Sequence, residues 1–517
     1  MKKAVYYFLA SLIALSVMLM TLLLMPLPKA PLVGVGGNFI IREINIVDVV
    51  NGRIIEDATV KIEHGRIASI QTGSALVIPP DYVVIEAEGH YLAPGLWDMH
   101  THGIKLSPQL HHPLFIRYGV TSVRDMSGCM EREDSYWACP QDRRKWENSS
   151  LAGESISPRY PLQSSYQTNG GNEVPAGYSD FFRLNSPENA GNMINFYSGQ
   201  GVDFIKTYAD LSAKQFAELA EASREGNFSL AGHKPMVVPL ADALAADMTS
   251  IEHGRLFMFE CYKEIEAFRE EENPLSLYTP QKIRDIVNQQ DQQQCSEHMH
   301  RMAGSETYWV PTLTTIKMSA MARDENYRND KRLNTIPWLV RALLWEPDIN
   351  RAANSGVDEQ GRFVHGDYFE MASQQVGTAK AAGVKILAGT DNIDTYVFTG
   401  SSLHDELSML VDAGFSPLQA LQAATIDAAV FAGRDSDLGS VEVGKKADLI
   451  FLRDNPLLDI SSSLDLAGVM FNGQYFDASA LMALEQYAID MAKSVRVNLH
   501  YLMGLLMSPL MRVQLAD

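Results

Sequence analysis

The sequence predicts an α/β fold: a (β/α)8 barrel of the TIM type, carrying a small composite β-sandwich domain built from both chain ends. Three observations predict it. Short apolar runs alternate with longer, helix-patterned segments through the middle of the chain. Strand patterns broken by Gly turns appear near the start and return near the end. The 517 residues hold a barrel of ordinary size plus an accessory domain. Hydrophobic residues make up 46%, enough for a sizeable core, which excludes wholesale disorder.

At the N-terminus, Lys2 and Lys3 precede an apolar run over residues 6–27 with no charge inside it. The run approaches the ~20 residues that span a bilayer and exceeds an ordinary signal core. No small-x-small cleavage pattern follows it. Residues 1–30 are therefore expected to form a signal or membrane anchor. The chain is expected to be exported, periplasmic or otherwise extracytoplasmic, with membrane association through its N-terminus.

Strands are expected at 39–46, 58–62, 66–70, 83–85 and 91–93, around the turns at Asn51-Gly52 and His64-Gly65. Their partners near the other end are 447–452 and 467–471, with Gly473 as a hairpin turn. These segments assign 35–93 and 433–480 to the β-sandwich domain, 94–430 to the barrel and 481–517 to a C-terminal helical extension. Barrel strands are expected at 95–99, 121–125, 203–208, 229–232, 249–252, 309–313 and 385–388. The eighth, with the weakest signal, falls near 155–161. Helices are expected at 213–224, 368–382, 403–413 and 417–429, the last started by Ser416-Pro417. The connections 255–308 and 314–384 are too long for plain loops. Both follow strands, so both are expected over the catalytic face as lids or pocket walls.

Net charge is -20 with His neutral. Phosphate binding needs clustered cations, so nucleic acid is excluded as a partner. Cys129, Cys139, Cys261 and Cys295 form no CxxC metal pattern. Proximity suggests the pairs 129 with 139 and 261 with 295, although connectivity does not follow from sequence. Four free thiols are the other reading.

The polar residues at strand ends carry the chemistry. His100 and His102 follow the first strand, and positions i and i+2 of an extended segment point the same way. His233 follows residues 229–232, His253 follows 249–252, and Asp391 follows the 385–388 strand. Barrel catalytic groups come from these C-terminal strand ends. Imidazoles with a carboxylate suit zinc, and also iron or manganese. Lys206 lies among apolar neighbours near the end of the fourth strand. A buried ammonium tends to lose its proton, and the neutral amine can take up carbon dioxide as a carbamate; pairing with Asp203 is the plainer reading. His111 and His112 are expected on a loop or helix surface. His64 and His90 belong to the β domain. His298, His300 and His365 lie in the long connections. His404 is expected either to support the site or to bond at a helix start. Tyr208 is a candidate donor to substrate, with stacking in the wall as the alternative, and Thr312 is a weaker wall candidate.

On these residues the chain resembles the amidohydrolase superfamily over most of 35–475. His100-Thr101-His102, His233, Ser250-Ile251-Glu252-His253-Gly254 and Gly389-Thr390-Asp391 occur in the family's order. Gly444-Lys445-Lys446-Ala447-Asp448-Leu449 resembles its return into the β domain. The likeness points to the imidazolonepropionase-like and Xaa-Pro or Xaa-Arg dipeptidase-like branch. It implies two divalent metal ions, zinc by preference, in a binuclear centre. His100, His102 and Asp391 would hold one metal, His233 and His253 the other, and an N6-carboxylated Lys206 would bridge them. The implied activity is hydrolysis of a carbon-nitrogen bond in an amide, peptide or cyclic amide by a metal-activated hydroxide. Asp391 would move the proton, with His253 and Tyr208 assisting. The partner is then a small-molecule or short-peptide substrate, and a homo-oligomer stays open. The chain departs from the dipeptidase-like pattern at Lys234-Pro235, where many of those relatives carry a second histidine after one intervening residue. The alternatives are a mononuclear metal deaminase or lactone hydrolase, and a noncatalytic exported binding protein. The glutamate that deaminases of the family place after the fifth-strand histidine is missing here.

Overall fold

The structure of the chain is a computed structural model that describes residues 2–73, 79–270 and 274–515. Eight short runs form one parallel sheet: β1 (Leu96–Thr101), β2 (Val120–Asp125), β3 (Arg159–Thr168), β4 (Phe204–Thr207), β5 (Ser229–Gly232), β6 (Ser250–Glu252), β7 (Tyr308–Val310) and β8 (Lys385–Ile386). Each pairs with the next in chain order. The first strand also meets the chain just after the last. Met99 N–H donates to Ala388 O (3.0 Å) and Asp391 N–H donates to His100 O (2.8 Å). Thr101 and Asn392 form a parallel bridge. Buried Asp98 spans the same seam, accepting from the Thr390 N–H (2.9 Å) and hydroxyl (2.6 Å).

Three elements depart from the sequence-based expectations. β3 is longer and later than 155–161. Its buried Gln163, Ser164 and Ser165 are polar, so an apolar count misses it. β7 stops at Val310 because Pro311 has no N–H and Thr312 turns to φ 43°, starting the helix Leu313–Ala320. The segment 417–429 is two helices, Pro417–Ala423 and Ile426–Phe431. The break frees Ala423 O and Ala424 O, which accept from Ala388 N–H (3.1 Å) and Trp97 N–H (2.8 Å) at the seam. The Ser416 start forms as expected: Ser416 and Gln419 bond each other's backbone N–H groups.

Nine further strands from both chain ends form one hydrogen-bonded sheet. The ten-residue strand Phe39–Asp48 makes it continuous by pairing with three partners: Arg53–Glu63, Val83–Glu86 and Tyr91–Pro94. Leu449–Leu452 then joins it to the strands near the C-terminus. Ile41, Ile44, Val60, Leu449 and Met470 fill its core. A buried bidentate ion pair, Arg159 to Asp448 (2.6 and 3.0 Å), ties this sheet to β3.

The first helix is Lys2–Leu24, and several of its side chains lie outside the described ones. Among the described residues no helix is long and apolar enough to cross a membrane. The C-terminal extension is three helices, Ala478–Lys493, Val495–Met507 and Pro509–Gln514. Cys129 pairs with Cys139 and Cys261 with Cys295, at Cα separations of 5.0 and 4.6 Å.

Candidate metal centre

β1 delivers His100 and His102 to the same end of the sheet, two residues apart. His100 Nε2 lies 3.3 Å and His102 Nε2 2.7 Å from Asp391 Oδ1, which follows β8. His253, just past β6, places Nδ1 3.6 Å from Asp391 Oδ2. Single donor atoms from His100, His253 and Asp391 all lie within 4.8 Å of one another. His233, just past β5, brings Nε2 to 2.8 Å from His253 Nε2. Lys206 of β4 is buried and lines the same cavity, as does Tyr208, whose ring stacks on His233 at 4.0 Å. All six expected ligands therefore converge. The cavity encloses about 910 Å³.

Burial sets the protonation states. It holds His233 and His253 well below the ordinary imidazole value. It takes His102 down to about 4, with the Lys206 charge adding to the effect. It also lowers the Lys206 ammonium, against the pull of Asp391. Burial works the other way on Asp391, but His100 and His102 keep that carboxyl well below its usual range. The result is neutral imidazoles at His102, His233 and His253 beside an ionised carboxylate, donors of the kind a divalent cation requires.

His100 tests the fit most sharply. Its Nδ1 lies 2.9 Å from Glu252 Oε2, so Nδ1 carries the proton and Nε2 presents a lone pair. That Nε2 is fully buried and has no hydrogen-bond partner among the described residues. It faces the Asp391 carboxylate, lone pair against lone pair, which calls for a cation between them. His253 fits as well: its Nδ1 bonds Thr312 Oγ1 (2.8 Å). His233 fits less directly. Arg255 Nη2 donates to its Nδ1 (2.8 Å), which places the imidazole proton on Nε2, facing His253.

Other expectations are corrected. His111 and His112 are buried rather than at the surface. They bond Ser107 Oγ (3.0 Å) and Tyr160 Oη (2.7 Å), because the short helices here are covered by the helix Ala478–Lys493. His404 does not reach the centre; it bonds Ser463 Oγ and Tyr118 O. Lys234 neither faces solvent nor enters the cavity: it is buried against Glu260 Oε1 at 3.0 Å. His365 lines the cavity wall.

Sequence reasoning missed Glu252 and Arg124 as partners. Arg124 Nη2 meets Glu252 Oε1 at 2.7 Å and Arg124 Nε donates to Met99 O at 2.7 Å. Against the cost of burial, Arg124 and His100 draw the Glu252 carboxyl down to about 2. The signal was present: opposite charges inside two apolar strands demand each other. Arg255 and Asp394 were missed too. Both line the cavity, and burial with Asp391 nearby pushes Asp394 up to about 7.

Residues 366–475 match the model of the amidohydrolase family, a stretch holding Asp391 and the return into the mixed sheet. That stretch of the chain is similar to the amidohydrolase family. A similar fold is met in solved structures. A bottromycin amidohydrolase superposes with a TM-score of 0.65 at 20% identity, over 92% of this chain and 93% of that one. A Xaa-Pro dipeptidase with methionine bound in its active site gives 0.60 at 20% identity, over 85% and 100%. These likenesses are of fold. An adenine deaminase of Moorella thermoacetica is 29% identical over 107 residues, 21% of this chain and 17% of that protein.

Proposed function

We propose that the chain is a metal-dependent hydrolase of carbon-nitrogen bonds acting on a small amide, peptide or cyclic amide. The observation that carries this reading is the orphaned His100 Nε2 facing Asp391, with His253 completing the set. We read the parallel sheet as a closed (β/α)8 barrel, supported by the bonds across its seam. His100, His102 and Asp391 would hold one divalent cation, and His233 and His253 a second, with zinc the best match to the donors. Lys206, its ammonium disfavoured by burial, would serve as an N6-carboxylated bridge.

Divalent cations bound there polarise a carbonyl and lower the pKa of water. Asp391 accepts the proton that water releases and returns it to the leaving nitrogen. One water is consumed, the C–N bond breaks, and a carboxylic acid and an amine leave. Tyr208 stands against His233, where its hydroxyl, kept protonated by burial to about 12, can donate to the substrate. Arg255, whose guanidinium bonds His233 inside the cavity, is suited to a substrate carboxylate, in place of the histidine missing at Pro235.

The two disulfides support an oxidising compartment and therefore export. A one-metal centre is the second reading, favoured by the proton that Arg255 forces onto His233 Nε2. Metal counting after purification in bicarbonate separates the two: two ions per chain are expected. Asp391→Asn should lower kcat by about 10³-fold or more while leaving the fold intact. Activity that survives verified metal removal would contradict the reading.

A further inference from the structure

The helix Val495–Met507 has an outward face that ordinary solvation does not explain. Its inward side is buried through Val497, Asn498, Tyr501, Gly504 and Leu505, and Tyr501 lines the cavity. Its outward side carries Val495, Leu499, Met503 and Leu506, flanked by Leu502 and Met507. Val495, Leu506 and Met507 are 61%, 58% and 59% exposed. The helix has no acidic residue, and its polar outward groups, Arg496 and His500, lie along one flank. A surface helix of a soluble protein carries polar residues there.

This face is continuous with two others. Arg496 Nη2 donates to Met25 O (2.8 Å) and Pro26 O (2.7 Å), and Tyr487 Oη donates to Pro28 O (2.7 Å). These bonds pin the end of helix Lys2–Leu24 beside Val495–Met507. On the other side, Leu339 N–H donates to Asn498 Oδ1 (3.0 Å), which sets exposed Trp338 next to the same helix. Leu343 and Leu515 are exposed as well, and both line the cavity mouth.

The first helix identifies the medium. No charge lies between Lys3 and Lys29, and exposed apolar side chains such as Tyr6, Tyr7, Leu9, Leu15 and Met18 point around most of its circumference. A second copy of the chain would cover one side of such a helix. A lipid phase covers all of it.

We propose that Val495–Met507, together with Lys2–Leu24 and residues 338–345, seats the protein on a lipid surface with the cavity mouth at the interface. The amide it hydrolyses then carries a long hydrocarbon chain that enters from the lipid. This substrate class rests on the hydrolase reading above; the seating does not. Membrane contact follows from apolar area on an interfacial helix. The rim residues Leu343 and Leu515 give an alkyl chain an apolar path from that contact into the cavity.

Two measurements test it on the full chain. All four cysteines are in disulfides, so single labels are clean. Leu506→Cys and, as control, exposed Val443→Cys carry an environment-sensitive dye and are mixed with phosphatidylcholine vesicles. The Leu506→Cys dye should shift to the blue and be quenched by lipid-borne quencher, while Val443→Cys stays unchanged. Equal behaviour of the two overturns the seating. So does a blue shift without vesicles that grows with protein concentration, which would place a second copy on the face. The second measurement is kcat/KM on vesicles for one amine acylated with chains from acetyl to palmitoyl. It should rise by about tenfold or more with chain length. The variant M503Q/L506Q/M507Q should lose that rise and keep the acetyl rate. A flat profile overturns the substrate class. If no amide is turned over, the hydrolase reading fails and takes the substrate class with it, while the dye result still decides the seating.

Discussion

Glu252 does its work through His100. Its Oε2 holds Nδ1 and its Oε1 holds Arg124, so one carboxylate orients a metal-facing imidazole and neutralises a buried guanidinium. Glu252→Gln should weaken metal affinity by about 10- to 100-fold in a competition titration, since outer partners of a ligating histidine carry that much. It should also lower unfolding stability, because Arg124 is left buried and unpaired. Unchanged affinity would show that His100 is no ligand. His253 (φ 75°), Asp391 (φ 66°) and Thr312 (φ 43°) are all left-handed without being glycine, at about 1–2 kcal/mol each. Such strain gathers where the surroundings hold a functional geometry. The ligands were legible as residue types because each ends an apolar run. The strain was not, since nothing in a side chain's identity announces a left-handed backbone there. Arg255 was hidden for another reason: a charged residue one position after a glycine reads as ordinary loop.

Elements were legible where burial and apolarity coincide. Ser229–Gly232 stands where residues 229–232 were expected, and the helix Ala213–Glu225 overruns its expected span by one residue. β3 hides its identity because Gln163, Ser164 and Ser165 are polar yet buried, so an apolar count passes over the strand. The helix Ser401–Asp412 carries one such hidden role. Glu406 accepts the N–H groups of Leu313 (2.9 Å) and Thr314 (3.0 Å), capping the helix Leu313–Ala320 that follows β7. Burial pushes its carboxyl from 4.5 up to about 8. The folded chain therefore keeps a proton that the unfolded chain releases. This contribution to stability is full below pH 4.5 and is lost as pH rises toward 8. Chemical denaturation of wild type and Glu406→Gln across that window should show a smaller pH slope in the variant. Identical slopes would remove Glu406 as the source. The Cys261–Cys295 bridge closes a connection that supplies Arg255 and Tyr278 to the cavity wall. Replacing both cysteines by serine should cost about 2–4 kcal/mol in the same assay.

At the scale of the molecule, the sheet topology and the use of both chain ends could be read from two rhythms in the sequence. The cavity could not. Its wall comes largely from residues 315–368, from Tyr501 and Met511 of the C-terminal helices and from Leu515 just past them, segments whose helical patterns say nothing about which neighbour they face. The tie between the two sheets was equally silent, since Arg159 and Asp448 are 289 positions apart. The central claim is that strand ends far apart in the chain share a cation at His100, His102 and Asp391, next to a second at His233 and His253. A crystal structure of active protein, with anomalous data at the metal edge, measures it directly. The account predicts an anomalous peak about 2.0–2.2 Å from His100 Nε2 and an Asp391 oxygen. Active crystals with no peak between those two groups would contradict it.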